Sequence, residues 1–226
     1  MPPKLFAVTS FRYDEQLVPD MIQNLNFVDG FILHDDRNNP EVWYHEGKQR
    51  NELINAARRA EADWILCIDP DERFEQSAGD TIRNLIANTS DPKTIYGFKF
   101  RELFHPTRYR SDGVWGGKHK FVLFPLLPEQ EYSNQRVHSQ WAPTNPEYKK
   151  ILTDVNLYHL KMIDPLNRIA RSKLYEELDP NNEYQSIGYS YLRDESNIIL
   201  ESIQPGREYF PAYSNKQEIV QIRQQN

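Results

Sequence analysis

The stretch Ala62-Asp63-Trp64-Ile65-Leu66-Cys67-Ile68-Asp69-Pro70-Asp71-Glu72 decides the fold. Trp64 to Ile68 is apolar on both faces, the pattern of a strand buried on both sides of a parallel sheet. Pro70 pushes Asp69 into an extended conformation and denies the sheet a backbone donor, so the strand is expected to stop there. Asp69 and Asp71 then emerge at the sheet's rim, where α/β sheets keep their ligands. Alone, Asp-x-Asp reads more readily as a solvated acidic turn; its place after a doubly buried strand makes it a site candidate.

Working outward, Leu5 to Val8 reads as an opening strand, and Leu17, Val18, Met21, Ile22 and Leu25 fit one face of a helix. Val28 to Leu33 reads as a second strand, running into His34-Asp35-Asp36. Lys48 to Ala62 has helical spacing, with Leu53, Ile54, Ala57 and Ala60 on one side. Downstream, a helix is expected around Ile82, Leu85 and Ile86, then strands over Ile95–Phe100 and Lys120–Phe124, and one ending at His159. Asp164-Pro165 reads as N-cap and first residue of a helix that stops near Asp179-Pro180. This order predicts an α/β fold with a mostly parallel central sheet over residues 1–180. A C-terminal helical extension with a polar tail is expected over 181–226.

The chain has 226 residues, enough for one substantial domain and one core. Its 27 basic and 33 acidic residues give a net charge of -6, which argues against a nucleic-acid partner. Cys67, the single cysteine, has no partner for an internal disulfide and fits a reducing compartment. Met1-Pro2-Pro3-Lys4 leads into only about five apolar residues, and no stretch approaches the ~20 needed to cross a bilayer. The expectation is a cytoplasmic protein with no transmembrane segment, which leaves peripheral membrane contact open.

Paired carboxylates of restricted conformation suit Mg²⁺ or Mn²⁺, which take one or two protein carboxylates and complete their shell from water and substrate phosphates. A nucleoside diphosphate is the natural missing partner. An EF-hand is excluded, because Phe74 stands where its glycine is needed and Arg73 at a ligand position. Residues 101–150 are rich in aromatics and prolines, and such long connections commonly carry substrate contacts. Within them Trp115, Gly116 and Gly117 combine an aromatic face with exposed backbone, a candidate acceptor surface for a sugar ring.

In order and spacing, Phe6-Ala7-Val8-Thr9, Phe31-Ile32-Leu33-His34-Asp35-Asp36, Arg50-Asn51 and the opening stretch resemble family-2 glycosyltransferases of the GT-A fold, a Rossmann-like nucleotide-sugar-binding fold. The resemblance covers about the first 75 residues and continues more loosely through Arg136-Val137-His138 and Tyr158-His159. It implies a nucleotide-sugar-binding half over 1–100 and an acceptor half over 101–180. It also implies metal-dependent transfer, with inversion, of a sugar from a nucleotide-diphosphate sugar to a hydroxyl of a saccharide acceptor. On the same basis Thr9 belongs to the donor site, Asp35 hydrogen-bonds the nucleobase and Arg50 lies near the diphosphate. Asp71 is implied as a direct ligand of Mn²⁺ or Mg²⁺, Asp69 reaches the ribose or a metal-bound water, and His159 completes the metal site. The sequence departs from the family at the general base. Where many members carry an acidic pair, it reads Asn134-Gln135-Arg136-Val137-His138-Ser139-Gln140. His138 is the candidate base, since imidazole titrates in the right range, with Glu102 and Asp112 as rivals. Two other readings stand beside transfer: a non-catalytic nucleotide- or sugar-binding module, and a nucleotidyltransferase. Against the latter, Thr9-Ser10-Phe11-Arg12-Tyr13 has no glycine to form a phosphate-gripping loop.

Overall fold

The computed structural model describes residues 1–38, 46–132, 141–143 and 147–214. The chain opens with β1 (Leu5–Phe11), a 3-10 turn over Glu15–Leu17, α1 (Val18–Asn24) and β2 (Gly30–Asp35). α2 (Glu46–Arg59) leads into β3 (Trp64–Cys67) and β4 (Glu72–Phe74), followed by α3 (Ala78–Asn88). β5 (Thr94–His105), β6 (Arg108–Arg110), β7 (His119–Pro125) and β8 (Lys149–His159) form the second half, then α4 (Pro165–Leu178) and β9 (Leu200–Ser202).

β1 pairs in parallel with β2 on one side and β3 on the other, and all four residues of β3 are buried, as the doubly apolar run requires. α2 turns Leu53, Ile54 and Ala57 inward, and α3 does the same with Ala78, Ile82 and Ile86, giving one main core. The sheet order is β2-β1-β3-β7-β5-β6-β9. Its N-terminal third is parallel. β7 then inserts antiparallel between β3 and β5, so the sheet is mixed, with β5–β8 as the remaining parallel pairing among the described residues. Hydrophobic periodicity locates strands but carries no signal for the direction in which a later strand is threaded.

β8 leaves the main path and bridges β5 and β4. In that register His159 stands opposite Glu72 on one side and Glu102 on the other. α4 begins as its sequence predicts, with the Asp164 carboxylate accepting from Leu166 N at 2.8 Å and Pro165 in the first position.

The expected helical extension is corrected by the structure. Among the described residues beyond 180 there is one 3-10 turn, Ser190–Leu192, and the strand β9, which pairs with β6. Left-handed Asn182, Gly188, Asn197 and Gly206 break this segment into turns. Nor does it stand apart: Tyr189 and Leu192 share a cluster with Trp115 and Met162, and Tyr209 packs with Leu103, Tyr109, Tyr158 and Leu160. Among the described residues no helix is long and apolar enough to cross a membrane.

Candidate active site

A crevice of about 480 Å³ opens where the strand ends converge. Its floor is the turn after β3. Ile68 N still bonds Val8 O, and Glu72 N closes the turn on Asp69 O at 3.0 Å. Arg73 is fully buried and donates to the carbonyls of Pro70, Glu72 and Leu17, so it clamps this turn from beneath. Asp69, about one-third exposed, accepts from Lys120 Nζ at 2.8 Å and Trp141 Nε1 at 3.3 Å.

Asp71 is only 3% exposed. Its Oδ2 lies 3.1 Å from His159 Nε2 and 3.7 Å from Lys161 Nζ. The other ring nitrogen, Nδ1, lies 2.5 Å from Glu102 Oε2, and Phe100 stacks on the ring at 5.2 Å. Burial works against the imidazolium, yet the Glu102 and Asp71 carboxylates outweigh it and push His159 up to about 10. Burial likewise opposes ionisation of Asp71 and Glu102. His159 with Lys161 holds Asp71 well below the usual carboxylate range, and His159 with Lys118 brings Glu102 down to about 2. Glu72 goes the other way: burial raises it to about 7 despite Lys120, with which it pairs.

These residues fit a divalent ion. Two adjacent ligands of an octahedral ion, each at about 2.1 Å, stand roughly 3.0 Å apart, close to the 3.1 Å hydrogen bond between Asp71 and His159, so a bound ion would take the place of the proton on Nε2. Glu102 behind Nδ1 is the carboxylate that commonly orients a metal-binding imidazole. Among the described residues no group of three or more His, Cys, Asp or Glu could hold a metal by itself. The fit is therefore to an ion that takes two protein ligands and finishes its shell with substrate.

Asp69, Asp71, Arg50 and His159 all line one crevice. Arg50 pairs with Glu46 at 3.4 Å and lies over the Trp141 ring at 4.1 Å. Three other assignments change. Asp35 faces solvent, bidentate with Arg37, whose hydrogen bonds bring it down to about 2. Its neighbour Asp36 lines the crevice instead, paired with Arg12 at 2.8 Å. Thr9 is buried one residue short of the crevice wall, its hydroxyl unpartnered among the described residues, while Ser10, Phe11 and Arg12 form that wall.

Trp115 is also no sugar platform. It is 3% exposed, its ring packed by Phe104 and Tyr191 with Lys118 over it at 4.4 Å. A Cβ on Gly116 would lie 2.3 Å from Ser111 O, and Gly117 has φ +69°, so the glycines serve a tight corner. The wall at that end is built from Tyr175, Gln185, Tyr189 and Tyr191. Of the rival bases, Glu102 is held between His159 and Lys118, and Asp112 is bidentate with Arg110 and accepts from Ile199 N. His138 lies outside the described residues.

No family model and no curated protein sequence matches the chain. Several solved structures are similar to it. One is described as a glycosyltransferase involved in the glycosylation of the major capsid of PBCV-1 (12% identity, TM-score 0.32, 44% of this chain and 52% of that one). Another is S. aureus TarS (12% identity, TM-score 0.45, 81% and 44%), also solved as residues 1–349 in complex with UDP (9% identity, TM-score 0.42, 84% and 69%). The chain thus spans about half the length of the first two, and likenesses this loose carry no residue roles across.

Proposed function

We propose that the chain is a glycosyltransferase that moves a sugar from a nucleotide-diphosphate sugar to a saccharide hydroxyl with the help of Mn²⁺ or Mg²⁺. The observation that carries this reading is the Asp71–His159 pair, spaced as two adjacent metal ligands and backed by Glu102. The ion's part is to neutralise charge developing on the leaving diphosphate. Asp36 with Arg12 and Arg50 against Trp141 form the donor end, where a nucleobase and ribose find a carboxylate acceptor and an aromatic wall. Lys120 fixes Asp69 towards the ribose side, and Tyr191 offers the acceptor end an aromatic face for a sugar ring.

Inversion needs a base for the acceptor hydroxyl, and His138 is the residue we assign to it. Glu102 held down to about 2 is a weak base at neutral pH, and Asp112 is committed to Arg110. His138→Ala is expected to lower transfer by about 10²–10⁴-fold and leave donor affinity nearly unchanged. Donor binding that collapses in step with the rate would make His138 a donor contact.

The function is tested by incubating the full chain with a panel of nucleotide-sugars, saccharide acceptors and Mn²⁺, and following nucleoside diphosphate release. Release from one donor, abolished by chelation, is expected. Undiminished turnover in excess chelator would remove the role given to Asp71 and His159. Binding without turnover would make the chain a binding module, and pyrophosphate release in a parallel incubation with a nucleoside triphosphate and a sugar 1-phosphate would make it a nucleotidyltransferase.

A further inference from the structure

Seven carboxylates line the crevice, and each meets a cation. Asp14 pairs with Lys161, Asp36 with Arg12, Glu46 with Arg50, Asp69 and Glu72 with Lys120, Asp71 with His159 and Lys161, and Glu102 with His159 and Lys118. One lining cation differs. The side chain of Arg171, on the second turn of α4, makes no hydrogen bond or ion pair among the described residues. Its guanidinium lies over the Tyr175 ring at 5.1 Å, and it feels the fields of Asp71, Asp14 and Glu102. It therefore lines the same crevice as the Asp71–His159 pair, with its side-chain donors uncommitted among the described residues.

A guanidinium presents five N–H donors in a rigid fork matched to phosphate and carboxylate oxygens. Keeping that fork in a partly desolvated wall without an acceptor is costly, and the arrangement is relieved when a ligand brings an oxyanion. The Tyr175 ring beside it adds a cation–π contact that limits the side chain's freedom.

We propose that Arg171 is an anion-binding residue of this site, holding a phosphate-type oxyanion of the substrate. This rests on the glycosyltransferase reading. The oxyanion has two sources, the donor's diphosphate and an acidic group on the acceptor, and Arg171 offers the same chemistry to either. The carboxylates around it then select for an anion that arrives with a counter-ion, since Asp71 would otherwise repel it.

The test is calorimetric titration of the full chain and of Arg171→Gln and Arg171→Lys in Mn²⁺, with thermal melts as folding controls. In the first arm each protein is titrated with UDP and with GDP. In the second, each is saturated with the nucleoside diphosphate that binds and titrated with glucose 6-phosphate against glucose. A donor role predicts that Arg171→Gln weakens nucleoside diphosphate binding about ten- to a hundredfold, with Arg171→Lys in between and the second arm unaffected. An acceptor role predicts an unchanged first arm and a preference for glucose 6-phosphate that Arg171→Gln abolishes. Wild-type protein that binds a nucleoside diphosphate, with both arms the same in Arg171→Gln, overturns this inference alone. Wild-type protein that binds neither nucleoside diphosphate overturns the glycosyltransferase reading and this inference with it.

Discussion

At the scale of single residues, the site rests on side chains whose direction is set by strand parity. Asp35 and Asp36 are neighbours at the end of β2, so they point to opposite sides. One meets Arg37 in solvent and the other meets Arg12 in the crevice. Asp36→Asn should therefore weaken nucleotide binding by about tenfold through loss of a charge-assisted hydrogen bond, whereas Asp35→Asn should leave it unchanged. Calorimetry on the two variants checks this, and equal losses would contradict it. Asp71→Asn is expected to lower transfer by about 10²–10³-fold while retaining the fold, because it keeps the side-chain volume in a buried position. Asp69 and Asp71 were legible in the sequence because they follow an apolar run, and His159 because it ends an alternating strand and matches a landmark of the family resemblance. Which of Asp35 and Asp36 faces inward was not, since one residue of register decides it. Lys120 and Lys161 were missed as site residues, and Glu102 was weighed only as a base, for a different reason: their partners are 48 to 147 positions away along the chain.

At the scale of elements, the decisive feature is the short strand β4. Its three residues are too few to show a period, so the sequence reading passes from the acidic turn straight to the next helix. Yet β4 pairs with β8 and sets Glu72 opposite His159, which delivers the histidine to Asp71. Arg73 holds the turn that precedes it through the Pro70 and Glu72 carbonyls and ties it to Leu17 O. Arg73→Leu would leave those carbonyls unpaired in the interior, at about 1–3 kcal/mol for each one left unsatisfied. A loss of about 3 kcal/mol in total corresponds to a fall of roughly 6–12 °C in Tm for a chain of this size. The variant should also bind Mn²⁺ more weakly, because the Asp71 backbone loses its clamp. An unchanged Tm by calorimetry would show that Arg73 is not part of the support.

At the scale of the whole molecule, the parallel N-terminal third matches its sequence pattern because strands buried on both faces announce themselves as apolar runs. The second half was less legible. Its strands are antiparallel insertions with mixed faces, and the segment after 180 contributes single aromatic residues from turns rather than a periodic element. That segment is structural all the same. A chain ending at Pro180 would lose Tyr189, Leu192 and Tyr209 from two clusters, each worth about 1.5–3 kcal/mol. The sum rivals the ~5–15 kcal/mol net stability of a domain, so the truncated chain should fail to unfold cooperatively in a thermal melt. A sharp transition at the full-length Tm would make the segment dispensable. The central claim is that Asp71 and His159 hold a divalent ion to which a substrate diphosphate binds. Its most direct measurement is a crystal structure of the full chain grown with Mn²⁺ and the nucleoside diphosphate it binds, with anomalous data collected above the manganese edge. The account predicts one strong anomalous peak within about 2.3 Å of both Asp71 Oδ2 and His159 Nε2, bridged to the diphosphate oxygens. A nucleotide bound with no manganese at that pair, or manganese bound elsewhere in the crevice, would contradict it.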